Sequence, residues 1–420
     1  MAAFIPIHAP SRVAPRAEWD GAIGAALILL ASEAPVMTLM KVAPPGIVSA
    51  GAQLTYLVAF GLAVLGLSRR GRHVAWLGPA SFFALAIALT AWVSTLWSIL
   101  PDVTWRRAFI HTATLLSAFY LASFPPHRLA RLIAMCGLSL VMGSALLALA
   151  TPQIGVMQEI HIGAWSGFWL EKNRLGAVAA LSGLACLACA AMTPRWARWL
   201  AAAVFCALVV VMARSATSLA AMLLGVGLFC VIALIRRGPL TATVLVGAAG
   251  CAIAVLGYIG LAHPDWIALA LGRDATFTGR TEIWNAVAPR IEARPWTGYG
   301  YGAFWSPEAD YGARIAGELG YEARNAHNAW LELRLDFGVA GVMLIIALLG
   351  YGLFAALAAA ARSRLSFLVA PLLVCTLAMS ATEAVFVPAA SYLWLSLLAG
   401  ILASQRRDGA DWEDDPTDFR

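Results

Sequence analysis

The chain has 420 residues, of which 61% are hydrophobic and only 12% are charged. Polar side chains are too few to cover the surface of a soluble globular protein. The composition therefore excludes ordinary soluble proteins and predicts an integral membrane protein. The net charge of +6 is carried by short arginine clusters between apolar runs, a pattern typical of topology signals rather than of nucleic-acid binding.

A polar segment opens the chain, and we interpret residues 1–20 as a cytoplasmic N-terminal tail. The apolar runs that follow are each long enough to cross about 30 Å of hydrocarbon. They predict an all-α, polytopic membrane bundle of about 12 transmembrane helices, with helices 1–9 within 21–262 and helices 10–12 within 336–404. The predicted spans are 21–40, 47–67, 74–97, 107–124, 129–150, 173–193, 196–213, 215–235, 239–262, 336–360, 365–382 and 384–404.

Arginine-rich connections alternate with arginine-poor ones along these spans. Because positive connections stay in the cytoplasm, both termini are predicted to be cytoplasmic, and residues 263–335 form a large periplasmic loop with short helices. Residues 405–420 form an acidic cytoplasmic tail with few apolar residues, which predicts disorder. The arginine-rich connections are 68–73, 125–131, 194–198, 236–239, 361–364 and 405–407.

The cysteines all fall inside apolar runs, where cysteine behaves as a small hydrophobic residue. Cys186 and Cys189 have C-x-x-C spacing, but no second pair accompanies them, so neither a disulfide framework nor a metal site is predicted.

Arg214 lies at the predicted outer end of an apolar run, where a charge near hydrocarbon is costly. One interpretation is an arginine that extends its side chain to the membrane surface. The other is an anion contact in an outward-facing cavity, with Ser215, Thr217 and Ser218 as further donors.

The loop sequence "TGRTEIWNAVAPRIEAR" predicts a helix that begins near Thr278 or Gly279, is kinked by Pro289 and ends at Pro295. Its apolar stripe could lie on the bundle or on the membrane surface. Arg280, at the start of this helix, suits phosphate, although bracing of the loop is the alternative. The stripe consists of Ile283, Val287 and Ile291.

The next segment, "WTGYGYGAFW", places glycines between aromatic residues but lacks the dinucleotide-binding pattern, so no nucleotide cofactor is predicted. The aromatic rings could stack on sugars, or they could form an interfacial belt. These aromatic residues are Trp296, Tyr299, Tyr301, Phe304 and Trp305.

His327 stands just before the next apolar helix and close to Arg324. A helix N-terminus and a nearby arginine both disfavour a second positive charge, so we expect a neutral imidazole that can accept a proton. A structural histidine is the alternative. No second ligand lies at metal-binding spacing, so no metal site is predicted.

These motifs together resemble those of the O-antigen ligase and O-antigen polymerase superfamily, bacterial membrane enzymes that act on lipid-linked glycans. The similarity lies in "GRTEIWNAVAPRIEARPWTGYGYGAFW" and "NAHNAWLELRLDFGVAG". "GFWLEKNRLGAVAAL" and "ARSATSLAAMLLG" resemble the exopolysaccharide-producing branch.

The resemblance implies a glycosyltransferase that moves a glycan from an undecaprenyl-diphosphate-linked oligosaccharide to an acceptor hydroxyl, with inversion and with neither metal nor cofactor. It assigns the diphosphate to Arg214 and Arg280 and activation of the acceptor to His327. It also matches Asn173 and Arg174, as substrate contacts or as helix-end anchors. Further candidate substrate contacts are Trp284, Tyr299, Tyr301, Arg324 and Asn328.

The leading hypothesis is a polymerase of exopolysaccharide or O-antigen repeat units, and the alternative is a ligase that uses lipid A-core as acceptor. A transporter is a remote alternative, because the spans carry few ionisable residues at mid-membrane depth. A non-catalytic assembly scaffold is another. The implied location is the bacterial inner membrane, with the site facing the periplasm, and the implied partners are membrane lipid and polysaccharide export machinery.

Overall fold

The computed structural model describes residues 15–159, 161–238, 280–321, 323–387 and 391–406. Within these ranges the elements are helical, apart from one antiparallel bridge between Val156 and Trp165. The helices of nine or more residues are α1 (Pro15–Ala31), α2 (Ala34–Val42), α3 (Pro45–Arg70), α4 (Pro79–Val93), α5 (Pro101–Ala122), α6 (Pro126–Ala150), α7 (Lys172–Met192), α8 (Trp196–Met212), α9 (Ala216–Ile235), α10 (Arg280–Ala293), α11 (Tyr311–Leu319), α12 (Ala329–Ala358), α13 (Ser366–Ser380) and α14 (Tyr392–Ser404). The all-α prediction is confirmed.

Several of these helices can cross a membrane, and the chain is a membrane protein. Six described helices are long and apolar enough to do so. The number rises to seven if the bent pair formed by α1 and α2 is counted as one span. Three shorter apolar helices, α8, α13 and α14, accompany them. The predicted span 239–262 with Cys251, the beginning of the polar loop (263–279) and the terminal residues 1–14 and 407–420 lie outside the described residues.

The last predicted span begins later than its hydropathy indicates. Instead of starting near residue 384, α14 starts at Tyr392. The N–H groups of Thr382 and Glu383 both donate to the carbonyl of Met379, so these residues form a turn that follows α13. This turn precedes the predicted span, and the helix itself begins eight residues later than predicted.

The bundle has two distinct ends. Helix α7 is the most deeply buried of the membrane-spanning helices and packs against α6, α8, α9 and α13. Contacts between their first residues place the starts of α7, α9 and α12 at one end of the bundle, and the three helices run toward the arginine-rich connections at the other end. Cys186 and Cys189 lie buried in α7, as expected for small apolar residues.

The polar loop has its own small core beside the bundle. Ile283, Val287 and Ile291 are buried there against Phe304 and Leu335. The predicted apolar stripe of α10 therefore packs on protein. Helix α10 continues through the proline that was predicted to kink it and ends at Ala293.

Helix α12 consists of two pieces that meet at Gly338, where φ is 64° and ψ is −160°. The break admits the loop backbone, because the N–H of Val339 donates to the carbonyl oxygen of Pro295 at 2.8 Å. A Cβ at Gly338 would lie 2.2 Å from the carbonyl carbon of Trp296. The absence of a side chain at Gly338 therefore allows the loop to dock on the bundle.

Candidate functional site

Glu383, which follows α13, is the centre of a polar cluster. Its Oε1 accepts hydrogen bonds from Arg280 Nη2 at 2.8 Å and from Asn173 Nδ2 at 2.7 Å. Its Oε2 lies 3.8 Å from Nδ1 of His327. Three predicted site residues from α7, α10 and the segment before α12 thus meet at one carboxylate.

His327 is held in an unusual backbone conformation. Its φ is 47°, in the left-handed region that costs a non-glycine residue energy and is concentrated at functional sites. Its N–H donates to Oδ1 of Asn325 at 2.8 Å. Its Nδ1 is buried without a hydrogen-bond partner among the described residues, so this nitrogen is available to the nearby carboxylate.

Asn328 caps α12 and ties it to the turn that carries Glu383. Its Oδ1 accepts the N–H groups of Trp330 and Leu331, which would otherwise lack partners at the helix start. Its Nδ2 donates to the carbonyl oxygen of Ala381 at 3.1 Å. Asn328 therefore helps set the distance between His327 and Glu383.

Two tryptophans brace the same region. The indole of Trp284 donates to the carbonyl oxygen of Ala326 at 2.9 Å. The indole of Trp330 donates to Oγ of Ser380 at 3.0 Å. Trp284, which was predicted as a substrate contact, is thus bonded to the residue that precedes His327. The bond fixes the segment that carries the imidazole.

Arg214 lies beside the cluster without contacting Glu383. Its guanidinium is exposed and donates to the carbonyl oxygen of Ile162 at 3.0 Å. Its own carbonyl accepts from Lys172 Nζ at 3.0 Å. Its φ of 49° is also left-handed. The structure brings Arg280 and His327 together, whereas the Arg214 side chain points to a neighbouring loop.

Arg174 and Arg324 lie at the edge of this region. Arg324 is exposed and Arg174 is half-buried. Arg174 interacts electrostatically with Glu33, which occupies the 44° break between α1 and α2 and has a left-handed φ of 59°. The Tyr56 hydroxyl lies 3.5 Å from Oε1 of Glu33. A broken, charged span thus borders the cluster, a feature associated with substrate paths in membrane proteins.

Tyr299 and Tyr301 are buried, and their hydroxyls are bonded. The Tyr299 hydroxyl donates to the carbonyl oxygen of Arg290 at 2.8 Å. The Tyr301 hydroxyl donates to the carbonyl oxygen of Val387 at 2.9 Å, and its ring stacks on Phe337. Burial raises the pKa of Tyr301 above its usual range, so the phenol stays a donor. Both rings belong to the protein interior, and the proposed site leaves them out.

The structure also brings together three side chains of the kinds that bind metal ions, although their spacing in the sequence did not indicate a metal site. Among the described residues, Glu171, His327 and Glu383 present ligand atoms within 4.8 Å of one another. Glu383 is already paired with Arg280 at 2.8 Å. A cation at this position would have to compete with that guanidinium.

Glu383 and Glu33 are the residues that sequence reasoning missed. Glu383 stands in "SATEAVFVP", where it is the only charged residue between two apolar runs. An ionisable residue in such a place is a functional candidate, and that signal was available. Which groups would surround it depended on contacts between distant segments.

Comparison with known proteins supports the motif analysis. A family model described as O-antigen ligase matches residues 201–346, a range that includes Arg214, Arg280 and His327. The chain is 24% identical over 279 residues to the exopolysaccharide production protein ExoQ of Rhizobium meliloti (strain 1021), covering 62% of this chain and 61% of that protein. The match therefore spans about three-fifths of the relative. Both findings confirm the resemblance to the O-antigen ligase and polymerase superfamily.

Proposed function

We propose that this membrane protein transfers a glycan from undecaprenyl diphosphate to an acceptor hydroxyl, with inversion at the anomeric carbon and without a metal ion. The observation that carries the proposal is the meeting of Arg280, Asn173 and His327 at Glu383. A fixed cation, a polar amide and a base beside a carboxylate are suited to expelling an anionic leaving group while deprotonating an alcohol.

His327 is proposed to accept the proton of the acceptor hydroxyl on Nε2. Nδ1–H then points to Oε2 of Glu383, and the carboxylate stabilises the imidazolium that forms. The present separation of 3.8 Å is longer than a hydrogen bond. Catalytic hydrogen bonds are often long before substrate binds, so we expect the pair to tighten when the acceptor is bound.

Arg280 and Arg214 are proposed to hold the diphosphate. As the glycosidic bond breaks, negative charge develops on the leaving oxygen, and a preorganised guanidinium stabilises it. Arg214 at present donates to a neutral carbonyl, that of Ile162. A phosphate oxygen is a stronger acceptor than a carbonyl, so donor binding can draw this side chain away from the loop.

The proposed topology has about 12 transmembrane helices, cytoplasmic termini and a periplasmic loop at 263–335 in the inner membrane. It is supported by the arrangement of the helices, because α7, α9 and α12 begin near the candidate site and end next to arginine-rich connections. The positive-inside rule assigns those connections to the cytoplasm.

Polymerisation of repeat units is the favoured reaction, because the relative is named for exopolysaccharide production. A ligase that transfers the glycan to lipid A-core is the alternative. The test is purified protein in liposomes with undecaprenyl-diphosphate-linked repeat units as the only glycan. Polymerisation predicts a ladder of longer lipid-linked chains, whereas a strict ligase gives no growth until lipid A-core is added.

The variant His327→Ala makes the same assay a test of the proposed base. Loss of a general base typically slows a reaction about 100-fold or more. The control variant is His73→Ala. His73 lies in the turn that follows the C-terminus of α3 and takes no part in the proposed chemistry, so this variant should keep the wild-type rate. Equal rates for wild type and His327→Ala would overturn the catalytic assignment.

A further inference from the structure

We propose that the end of the bundle opposite the candidate site binds the headgroup of an anionic phospholipid. A cavity of about 320 Å³ lies there between α6 and α8. Helix α7 has 21 residues and connects the two regions, so the cavity lies about 30 Å from Asn173, roughly the thickness of the hydrocarbon layer. It is thus separate from the proposed transfer site.

The walls of this cavity combine cations with an apolar surface. The lining includes Arg131, Met135, Leu138, Arg195, Arg198 and Trp199. The three arginines come from two different walls, and none of the described lining residues is acidic. A headgroup with phosphate charge would therefore meet positive charge on both sides without a nearby carboxylate to repel it.

Two of these arginines have unused donors. The side chains of Arg195 and Arg198 are exposed, and within the described part of the chain their guanidinium groups form no hydrogen bond; only their backbones are joined. Each can offer a two-pronged set of N–H groups to a phosphate. If these arginines served only to set the orientation of the chain in the membrane, their charge would be needed, but they would not have to line a common cavity.

The apolar part of the surface suits acyl chains. Met135 is 56% exposed on α6 and Trp196 is 58% exposed at the start of α8. Indole side chains favour the level of lipid headgroups, so Trp196 and Trp199 mark the membrane boundary here. A phospholipid would then place its phosphate among the arginines and its chains along Met135 and Leu138. This charge complementarity favours an anionic lipid over a zwitterionic one.

The experiment is native mass spectrometry of the full-length protein with added cardiolipin, phosphatidylglycerol or phosphatidylethanolamine. The double variant Arg195→Gln/Arg198→Gln is compared with Arg362→Gln/Arg364→Gln. The control pair is exposed at the same end of the bundle and does not line the cavity. The control removes the same amount of positive charge, so it distinguishes binding in the cavity from a general attraction of anionic lipid to the surface. Circular dichroism checks that both variants are folded.

The wild type should retain the two anionic lipids in preference to phosphatidylethanolamine. The Arg195/Arg198 variant should bind them about thirtyfold more weakly, as two surface arginines near an anionic lipid predict. The control variant should stay within about twofold of wild type. Equal loss in both variants, equal binding of phosphatidylethanolamine, or displacement of the lipid by inorganic pyrophosphate would each overturn the proposal.

Discussion

At the scale of single residues, Glu383 connects groups from three parts of the chain. Its carboxylate pairs with Arg280, accepts from Asn173 and lies near His327. The side chains of Arg280 and Glu383 are only 13% and 15% exposed, so this pair is shielded from water more than a surface ion pair. Its partners and its burial together indicate a site residue rather than a solvated charge.

Replacing Arg280 by lysine tests the proposed phosphate contact. Lysine keeps the charge but loses the planar fork that matches phosphate. We expect Arg280→Lys to reduce transfer at low donor concentration about tenfold or more, measured as initial rate against donor concentration.

The matched control lies on the same helix. Arg290 pairs with Glu318, whose carboxylate is 48% exposed, and Arg290→Lys should change transfer by less than about twofold because exposed pairs contribute little. If both variants lose activity alike, the effect belongs to α10 as a whole rather than to a phosphate contact.

Glu171 distinguishes metal-independent transfer from a metal mechanism. Glu171, His327 and Glu383 lie close enough to hold a cation, yet the proposed chemistry relies on guanidinium groups. We expect EDTA treatment to leave the transfer rate unchanged and Glu171→Gln to reduce it less than about tenfold. A loss of activity on chelation that a divalent cation restores would show that the carboxylates bind a metal ion instead.

At the scale of elements, the break in α12 joins the loop to the bundle. Gly338 adopts φ 64° and ψ −160°, a region open essentially only to glycine. The same position is in contact with the backbone of Trp296. Loop and helix are therefore interlocked at a point where a side chain cannot fit.

Gly338→Ala should destabilise the protein by about 3 kcal/mol or more, through backbone strain and steric overlap. Gly350 lies in the same helix with no atom within 4 Å of an added Cβ. Gly350→Ala should therefore be nearly neutral. Thermal unfolding in detergent measures both variants, and comparable melting temperatures for the two would refute the interlocking of α12 and the loop.

At the scale of the whole molecule, the proposed orientation is open to a labelling test. Ile162 is 69% exposed beside Arg214, and Arg362 is exposed at the other end of the bundle. A membrane-impermeant maleimide should label Ile162→Cys in intact cells and Arg362→Cys only after lysis. The reverse pattern would turn the site toward the cytoplasm and remove its access to a periplasmic acceptor.

Much of the molecule follows from sequence pattern alone. Apolar runs predicted the helices, and the stripe of Ile283, Val287 and Ile291 marked the apolar face of α10, which the structure buries against protein rather than against the membrane. Motifs singled out Arg280 and His327. Hydropathy placed a break between two spans at Glu383, but it could not show which groups surround that residue, because its hydrogen-bond partners Arg280 and Asn173 lie 103 and 210 residues away along the chain.

The aromatic residues show the opposite limit. Tyr299 and Tyr301 stand between glycines in a polar loop, a pattern that fits sugar stacking and interfacial anchoring equally well. The structure buries both rings. The burial of these rings depends on how the glycine-rich segment that carries them packs against α12 and α5. Neither contact leaves a local pattern in the sequence.

The most direct test of the central claim is a double-mutant cycle between His327 and Glu383, read as the initial rate of glycan transfer from undecaprenyl diphosphate in liposomes. If Glu383 acts by supporting the imidazole, His327→Ala and Glu383→Gln should each slow transfer about 100-fold or more, and the double variant should be no slower than His327→Ala alone. Independent effects that multiply in the double variant, or a wild-type rate for His327→Ala, would contradict the account.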